Sequence, residues 1–144
     1  MGIVNIDQVL ITPLQTINKN DGNVMHGLKS SDKGYHGFGE AYFSWINEGA
    51  IKAWKRHTKM TMNLIVPIGD VRFVFFDPNK NRFRIEEIGQ NRYSRLTVPP
   101  TIWFGFQCLS FSKSLVLNLA NISHDPNEVE RLEISDIKYP WEKL

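Results

Sequence analysis

Residues 49–69 read GAIKAWKRHTKMTMNLIVPIG. This segment is bounded by glycines, places a single histidine, His57, among lysine and arginine residues, and has an apolar second half. We interpret IKAWKRHTKMTMNLIVPI as two strands whose junction the sequence does not define. In an extended strand every second side chain points to the same face, so Lys55, His57 and Lys59 are predicted to lie together.

Outward from this segment, the chain is predicted to be β almost throughout. The predicted strands are VNIDQVLIT, stopped by Pro13, then EAYFSWI, a hairpin formed by DVRFVFFDPNKNRFRIEEI, and finally RLTVPP, TIWFGFQCLS and SLVLNLANI. Only DPNEVERLEIS differs, because an Asp followed by Pro and acidic residues is typical of the start of a short helix or turn. Short strands separated by turn residues indicate a sandwich or a barrel.

Composition limits the possible functions. The chain has 144 residues, 42% of them hydrophobic and 22% charged, which fits a single folded domain over residues 1–144. The net charge of +2 gives no argument for a nucleic-acid partner. We find no apolar tract long enough for a membrane span and no signal-peptide pattern at the N-terminus. The single cysteine, Cys108, lies in an apolar run and is predicted to be a core residue of a cytoplasmic protein.

The spacing in residues 49–69 resembles the first metal-binding motif of cupin barrels. That motif is Gly, five residues, His, one residue, His, three or four residues, Glu, six residues and Gly. Here Lys55 occupies the first histidine place, His57 the second and Met62 the glutamate place. The proline-rich stretch VPPTIWFGF resembles the second cupin motif, with Phe104 at its histidine place. Because only His57 keeps a metal-binding side chain, we predict no metal site and no cofactor.

Residues 35–141 as a whole resemble the dTDP-4-dehydrorhamnose 3,5-epimerase family, which are cupin proteins without a catalytic metal. The similar stretches are FGEAYFSWINEGAIKAW, LIVPIGDVRFVFFDPN, RLTVPPTIWFGFQCLS, ANISHDPNEVERL and the final YPW. Residues 52–57 are also similar to the Arg-Gly-x-His-x-His motif of nucleotide-sugar 3,4-ketoisomerases. The resemblance implies an all-β, cupin-type jelly-roll barrel with a short C-terminal helix or turn, a homodimer, and a nucleotide-sugar substrate.

Enzymes of this family remove a proton next to a C4 ketone and reprotonate the resulting enolate. They need a base, donors for the enolate oxygen and an acid on the other face. In this sequence the family's base histidine corresponds to Lys55 and its acid tyrosine falls near Asn118. A catalytic lysine place falls on Met62, and the histidine of the proline-rich turn is Phe104. The family's catalytic residues therefore cannot be transferred place by place.

His57 and Tyr42 are the candidate catalytic residues. Neighbouring ammonium groups at Lys55 and Lys59 would depress the pKa of His57 and keep it neutral, as a base requires. The alternative is a solvated outer face with no ligand. Tyr42 could act as the acid and shares a strand face with Glu40, or it could simply pack at the rim of the barrel.

The remaining candidates are substrate-binding residues. Lys55, Lys59 and Arg56 could hold an enolate or a diphosphate, and Glu40 matches a position that contacts substrate in the family. Asn118 and Gln107 are polar residues in apolar runs, so each needs a hydrogen-bond partner. That partner could be a ligand in a pocket or the neighbouring backbone.

Two functional hypotheses follow. The first is a metal-free epimerase or isomerase of a 4-keto nucleotide-activated deoxysugar, serving the synthesis of a surface polysaccharide such as lipopolysaccharide. The second is a cupin that binds a sugar or sugar nucleotide without turning it over. Neither hypothesis involves nucleic acid or a membrane.

Overall fold

Twelve strands and three short 3-10 turns account for the regular structure in the computed structural model, which describes residues 4–144. The strands are β1 Leu10–Pro13, β2 Thr16–Ile17, β3 Val24–Met25, β4 Glu40–Ile46, β5 Ile51–His57, β6 Met62–Ile68, β7 Asp70–Asp77, β8 Arg82–Gly89, β9 Ser94–Val98, β10 Trp103–Cys108, β11 Ser114–Ala120 and β12 Val129–Arg131. The 3-10 turns are Ile6–Gln8, Pro126–Glu128 and Ile134–Asp136. Residues 1–3 lie outside the described residues. They belong to the N-terminal segment in which the sequence shows no signal-peptide pattern.

The strands form two antiparallel five-stranded sheets and a small ribbon. The first sheet has the order β1-β9-β6-β11-β4, the second β12-β5-β10-β7-β8, and β2 pairs with β3. The main core lies between the two sheets, with Leu64 and Leu96 from the first meeting Phe73 and Phe75 from the second. The sheets do not close into a continuous barrel, so the structure is an open jelly roll, and the predicted all-β jelly-roll class is confirmed.

Most predicted strands are confirmed, and the two termini differ. EAYFSWI is β4, and the undefined junction falls at residues 58–61, between β5 and β6. The first predicted strand is wrong over Ile6–Gln8, where the Asn5 side chain accepts a hydrogen bond from the Asp7 amide and caps a 3-10 turn. Pro13 does not stop β1, because it is the last residue of that strand.

The C-terminal segment covers the outer face of the second sheet. The predicted turn is present at Pro126–Glu128, but an unpredicted edge strand, β12, follows it and pairs with β5. A second core cluster, built around Trp54, Val74 and Ile137, then seals this face. Cys108 is fully buried, as predicted. Among residues 4–144 no helix is long and apolar enough to cross a bilayer.

A bulge in β5 decides which of its side chains face the core between the sheets. Lys55 pairs with Phe104, but the next residue of β10, Gly105, pairs with Ala53, so Trp54 is an extra residue in β5. Lys52 then pairs with Phe106. As a result Lys52 and Lys55 lie on the same side of the sheet although they are three positions apart.

Candidate functional site

The candidate site consists of a small cavity between the sheets and a wider recess outside it. The cavity has a volume of about 50 Å³ and its lining includes Tyr42, His57 and Asn118 above an apolar floor. The recess has a volume of about 320 Å³ and opens toward the surface. Both spaces are lined by Ser44, Lys55, Phe104 and Phe106, so they adjoin.

His57 ends β5 and turns its imidazole into the cavity. The side chain is only 5% exposed, and its ring stacks on Phe104 with the centroids 6.2 Å apart. Nδ1 lies 2.5 Å from the Glu128 carboxylate, whereas Nε2 is buried with no hydrogen-bond partner among residues 4–144. Because a carboxylate only accepts, the proton sits on Nδ1 and the free lone pair of Nε2 is available in the cavity.

Glu128 positions this imidazole. Its carboxylate is 1% exposed and also accepts hydrogen bonds from the backbone amides of Lys59 and Met60, at 3.1 and 3.2 Å. Burial raises the pKa of Glu128, but the hydrogen bonds from His57 and these two amides outweigh it and hold the pKa below its ordinary value. The carboxylate is therefore ionised at neutral pH.

The pKa of His57 is lowered, as the sequence predicted, although the main cause differs. Burial of the ring is the largest effect, and it outweighs the hydrogen bond and the negative charge of Glu128, which raise the pKa. The positive charges of Lys55 and Arg131 lower the pKa further. At neutral pH the imidazole is neutral, which is the form that can accept a proton.

Tyr42 and Asn118 come from the paired strands β4 and β11. The Asn118 amide nitrogen donates to the Tyr42 hydroxyl oxygen at 2.9 Å, and the Asn118 carbonyl oxygen accepts from the Asn63 backbone amide at 3.2 Å. Asn118 thus bonds to the backbone, which was one of the two possibilities left open by the sequence, and also to the Tyr42 side chain, which the sequence did not predict. Since Tyr42 accepts through its oxygen, its own proton remains available to donate into the cavity.

The outer recess is cationic. It is lined by Lys52, Lys55 and Arg131 and by no acidic side chain of the described chain. Burial lowers the pKa of Lys55, and the neighbouring charges of Arg131 and Lys52 lower it further. Within residues 4–144 neither Lys55 nor Arg131 forms an ion pair. A recess of this charge suits an anionic ligand such as a diphosphate.

Two of the predicted binding cations are not in the site. The placement of Lys59 beside Lys55 and His57 is wrong, because β5 ends at His57 and the Lys59 side chain is exposed. Arg56 lies on the other side of β5, where its Nη2 donates to both carboxylate oxygens of Glu130 and its guanidinium stacks 4.8 Å above the Trp103 ring.

Glu40 and Gln107 also lie away from the cavity. At the start of β4, the Glu40 carboxylate accepts a hydrogen bond from the His124 backbone amide. Gln107 is on the outer face of β10, where its amide nitrogen donates to the Glu142 carbonyl at 2.6 Å. The burial of Gln107 in β10 therefore reflects coverage by the C-terminal segment and not a pocket.

Glu128 and Arg131 were not predicted from the sequence, and Lys52 entered only through the similarity of residues 52–57 to the ketoisomerase motif. Glu128 immediately precedes β12, and Arg131 is the last residue of that strand. With three residues, β12 is too short to show any alternation. The available signal for Glu128 was its acidic side chain close after Pro126. No group of three or more His, Cys, Asp or Glu side chains within residues 4–144 is arranged to hold a metal ion.

The antiparallel sheets, with a histidine in a cavity between them, form a cupin-like jelly roll. No family model matches the sequence. The chain is, however, 31% identical to the dTDP sugar isomerase from Desulfovibrio desulfuricans G20, with a TM-score of 0.88 over 94% of this chain and 91% of that chain. The chain therefore belongs to the dTDP-sugar isomerase family, and the resemblance seen in the sequence is confirmed.

Two further proteins are similar at lower identity. A probable low-salt glycan biosynthesis epimerase, Agl13 of Haloferax volcanii, is 24% identical over 128 residues, which are 84% of this chain and 82% of the relative. A mutant of the 3,4-ketoisomerase QdtA from Thermoanaerobacterium thermosaccharolyticum, solved with TDP-4-keto-6-deoxyglucose, is 17% identical. Its TM-score is 0.75 over 89% of this chain and 90% of that chain, which supports the shared fold.

Proposed function

We propose that the protein is an epimerase or isomerase of a 4-keto nucleotide-activated deoxysugar, working by metal-free proton abstraction in surface polysaccharide synthesis. The observation that supports this most directly is the buried, unpartnered Nε2 of His57, in a cavity that also holds the Tyr42 hydroxyl. Family membership supports the dTDP-sugar substrate class. The names of Agl13 and of the QdtA complex support a glycan pathway and a 4-keto-6-deoxy sugar.

The chemistry begins with the C4 ketone, which acidifies the hydrogens on C3 and C5. His57 Nε2 takes one of these protons, and the C–H electron pair forms a carbon–carbon double bond as the carbonyl pair moves to oxygen. The resulting imidazolium is stabilised by the adjacent Glu128 carboxylate. Tyr42 then donates its proton. Delivery to the same carbon from the other face gives an epimer. Delivery to C4 gives a 3-keto isomer, provided that the proton of the C3 hydroxyl passes to the C4 oxygen. His57 then releases its proton and Tyr42 regains one by exchange with solvent.

The recess outside the cavity accommodates the nucleotide portion of the substrate. Its cations lie at the mouth, so the diphosphate would remain in the recess while the reacting edge of the sugar faces the small cavity between the sheets. The apolar floor formed by Met62, Leu64 and Val116 offers no hydrogen-bond partner and favours a deoxy position on the sugar.

The test is solvent exchange. The protein is incubated in heavy water with dTDP- and GDP-4-keto-6-deoxy sugars while NMR follows the C3 and C5 protons and any new isomer. We expect exchange with at least one sugar, its loss in His57→Asn, and normal exchange in His124→Asn, an exposed histidine that serves as the matched control. No exchange across the panel, with binding demonstrated, would disprove the enzyme hypothesis.

The second candidate function is binding of a sugar nucleotide without turnover. It is favoured by the loss of the family's catalytic side chains at four positions. This chain has Lys55, Met62 and Phe104 at three of them, and the fourth falls near Asn118. On this hypothesis the wild-type protein binds dTDP-sugars without exchange, and His57→Asn leaves the affinity unchanged.

The expected assembly is a cytoplasmic homodimer. The family resemblance supports a homodimer, and the outer side of β4 exposes two large aromatic side chains, Phe43 and Trp45, that a second copy could cover.

A further inference from the structure

We infer that Asn118 is a positioning residue that sets the direction in which Tyr42 gives up its proton. The Asn118 amide holds the Tyr42 oxygen as an acceptor, so the hydroxyl proton is directed into the cavity, and the same amide stabilises the phenolate that forms. This inference rests on the proposed function. It extends that function by assigning control of the reprotonation step to a side chain that acts through Tyr42.

The register of the first sheet brings the two side chains together. Asn118 of β11 and Tyr42 of β4 are direct partners in an antiparallel pair. Such partners have Cβ atoms roughly 5 Å apart and point to the same face of the sheet. Both side chains line the cavity, and Asn118 Nδ2 donates to the Tyr42 hydroxyl oxygen at 2.9 Å. The contact therefore follows from the strand pairing itself.

The backbone of β6 fixes which end of the Asn118 amide faces Tyr42. The Asn118 oxygen accepts a hydrogen bond from the Asn63 backbone amide at 3.2 Å. Turning the amide by half a rotation would bring its NH₂ group against that N–H group. Two donors would then meet where Asn118 is only 3% exposed, and neither would have an acceptor. The nitrogen end consequently has to face Tyr42.

Asn63 is itself held in place by its side chain. Its Nδ2 donates to the Gly34 carbonyl at 2.9 Å, and its Oδ1 accepts from the Thr97 hydroxyl of the paired strand β9 at 2.5 Å. The Asn63 side chain is buried, so water does not compete for these bonds. They anchor β6 at the residue whose backbone amide orients Asn118.

The arrangement leaves the Tyr42 proton for a group in the cavity. Within residues 4–144 the Tyr42 hydroxyl donates no hydrogen bond and only accepts the one from Asn118. The other contact of Asn118 Nδ2 is to the Met60 sulfur at 3.6 Å, a weak acceptor that does not compete with the Tyr42 oxygen. When the proton leaves, the bond from Asn118 becomes charge-assisted, so it is stronger in the transition state than in the ground state.

The step is balanced for return of a proton to the same carbon. The O–H bond of Tyr42 breaks, and its electron pair stays on the phenolate oxygen. The new C–H bond forms from the electron pair of the enolate double bond, and the C4 carbonyl is restored. Solvent then returns a proton to the phenolate, while the His57 imidazolium releases one.

The test separates proton removal from proton return. In heavy water, removal by His57 is measured as deuterium that enters the remaining 4-keto substrate, and return by Tyr42 is measured as product. We expect Asn118→Asp to lower the ratio of product formation to substrate exchange by about 10²-fold. The aspartate keeps an oxygen for the β6 backbone amide, but its second oxygen accepts the Tyr42 proton instead of donating to Tyr42.

Two further variants show whether Asn118 acts through Tyr42. Asn121→Asp is the matched control, because Asn121 also accepts from a β6-side backbone amide, that of Thr61 at 2.7 Å, but does not line the cavity. Its ratio should equal that of the wild type. Combining Asn118→Asp with Tyr42→Phe should lower product formation no further than Tyr42→Phe alone, since both changes remove the same proton donor.

A measurement by ¹⁵N NMR needs no Asn118 variant to fold. Tyr42→Phe removes the oxygen that accepts from Asn118, so the Asn118 side-chain amide signal should shift, whereas the Asn121 signal should stay in place. An unchanged Asn118 signal would show that the bond to Tyr42 is absent, and it would overturn the inference.

The outcomes distinguish this inference from the proposed function. Absence of exchange in the wild-type protein overturns both. Wild-type exchange and product formation, combined with an Asn118→Asp variant whose ratio is that of the wild type, overturn the inference alone, because a merely structural role lowers both rates together. Circular dichroism of each variant checks that it is folded before its rates are interpreted.

Discussion

At the scale of single residues, burial and hydrogen bonding determine the protonation states of His57 and Glu128. They leave a neutral imidazole beside an ionised carboxylate. Burial disfavours the charged form of both groups, yet Glu128 remains ionised because three donors surround it. His57 remains neutral because Glu128 does not fully offset its burial. The result is a base whose orientation is fixed by a neighbouring carboxylate and whose free nitrogen faces the cavity.

The direction of the His57 pKa shift predicts the pH dependence of the reaction. Since the pKa is lowered from 6.5, the exchange rate should decline at a lower pH than protonation of an ordinary histidine would give. Glu128→Gln removes the charge that raises this pKa, so the decline should move to still lower pH. We also expect kcat to fall by about 10²-fold, because the imidazolium loses its counter-charge.

Exchange rates between pH 4 and pH 8 for the wild type, Glu128→Gln and Glu130→Gln provide the measurement. Glu130 is the matched control, since its carboxylate pairs with Arg56 outside the cavity. A decline in Glu128→Gln at higher pH than in the wild type would contradict the proposed pairing.

Removing Glu128 should also destabilise the fold. Glu128→Ala leaves the Lys59 and Met60 amides and His57 Nδ1 without their shared acceptor in a buried place. We expect a loss of about 3 kcal/mol in the free energy of unfolding, measured by urea denaturation. Glu130→Ala, which breaks a partly exposed ion pair, should cost less than about 1 kcal/mol. Equal losses in the two variants would show that Glu128 has no special structural role.

At the scale of elements, the β5 bulge determines the composition of the site. A substitution at Gly105, opposite the bulge, should disturb it, because an added Cβ would lie 2.6 Å from the Ala53 Cβ. Gly105→Ala must push β5 and β10 apart, and we expect both reduced stability and slower exchange. Gly27→Ala, where the nearest atom is at an ordinary 3.4 Å, is the control. Unchanged activity and thermal midpoint in Gly105→Ala would disprove a tight fit there.

The same bulge explains how far the sequence could predict the site. In β4, alternation predicts the face on which Tyr42 lies, because that strand pairs regularly along its whole length. In β5, counting every second residue places Lys55 and His57 on the same face, as the structure does. The same count puts Lys52 on the opposite face, because it does not allow for the extra residue at Trp54 that reverses the alternation. Sequence patterns do not show where such a residue will be inserted.

Long-range contacts account for the other errors in the site. Glu128 is 71 residues from His57 in the sequence, and only the pairing of β12 with β5 brings them together. Gln107 was predicted for the pocket because it is polar in an apolar run, but the C-terminal segment provides its partner on the opposite face. In both cases the local sequence shows that a partner is needed and not which one it is.

At the scale of the whole molecule, the outer faces of the two sheets differ in how far they are covered. The second sheet is covered by the C-terminal segment, whose Ile137, Tyr139 and Trp141 pack around Trp54. On the first sheet, Phe43 and Trp45 of the edge strand β4 remain 63% and 47% exposed. Large exposed aromatics on one strand face are typical of a surface that is buried in an assembly.

We therefore expect the 16.7 kDa chain to have twice its mass in solution, measured by light scattering coupled to gel filtration. The double variant Phe43→Ser and Trp45→Ser should shift the protein toward the monomer, because it removes two apolar anchors from the contact. Phe111→Ser is the control, since Phe111 is 95% exposed and lies outside β4. A wild-type monomer would count against the homodimer, and a double variant that remains dimeric would place the interface on another face.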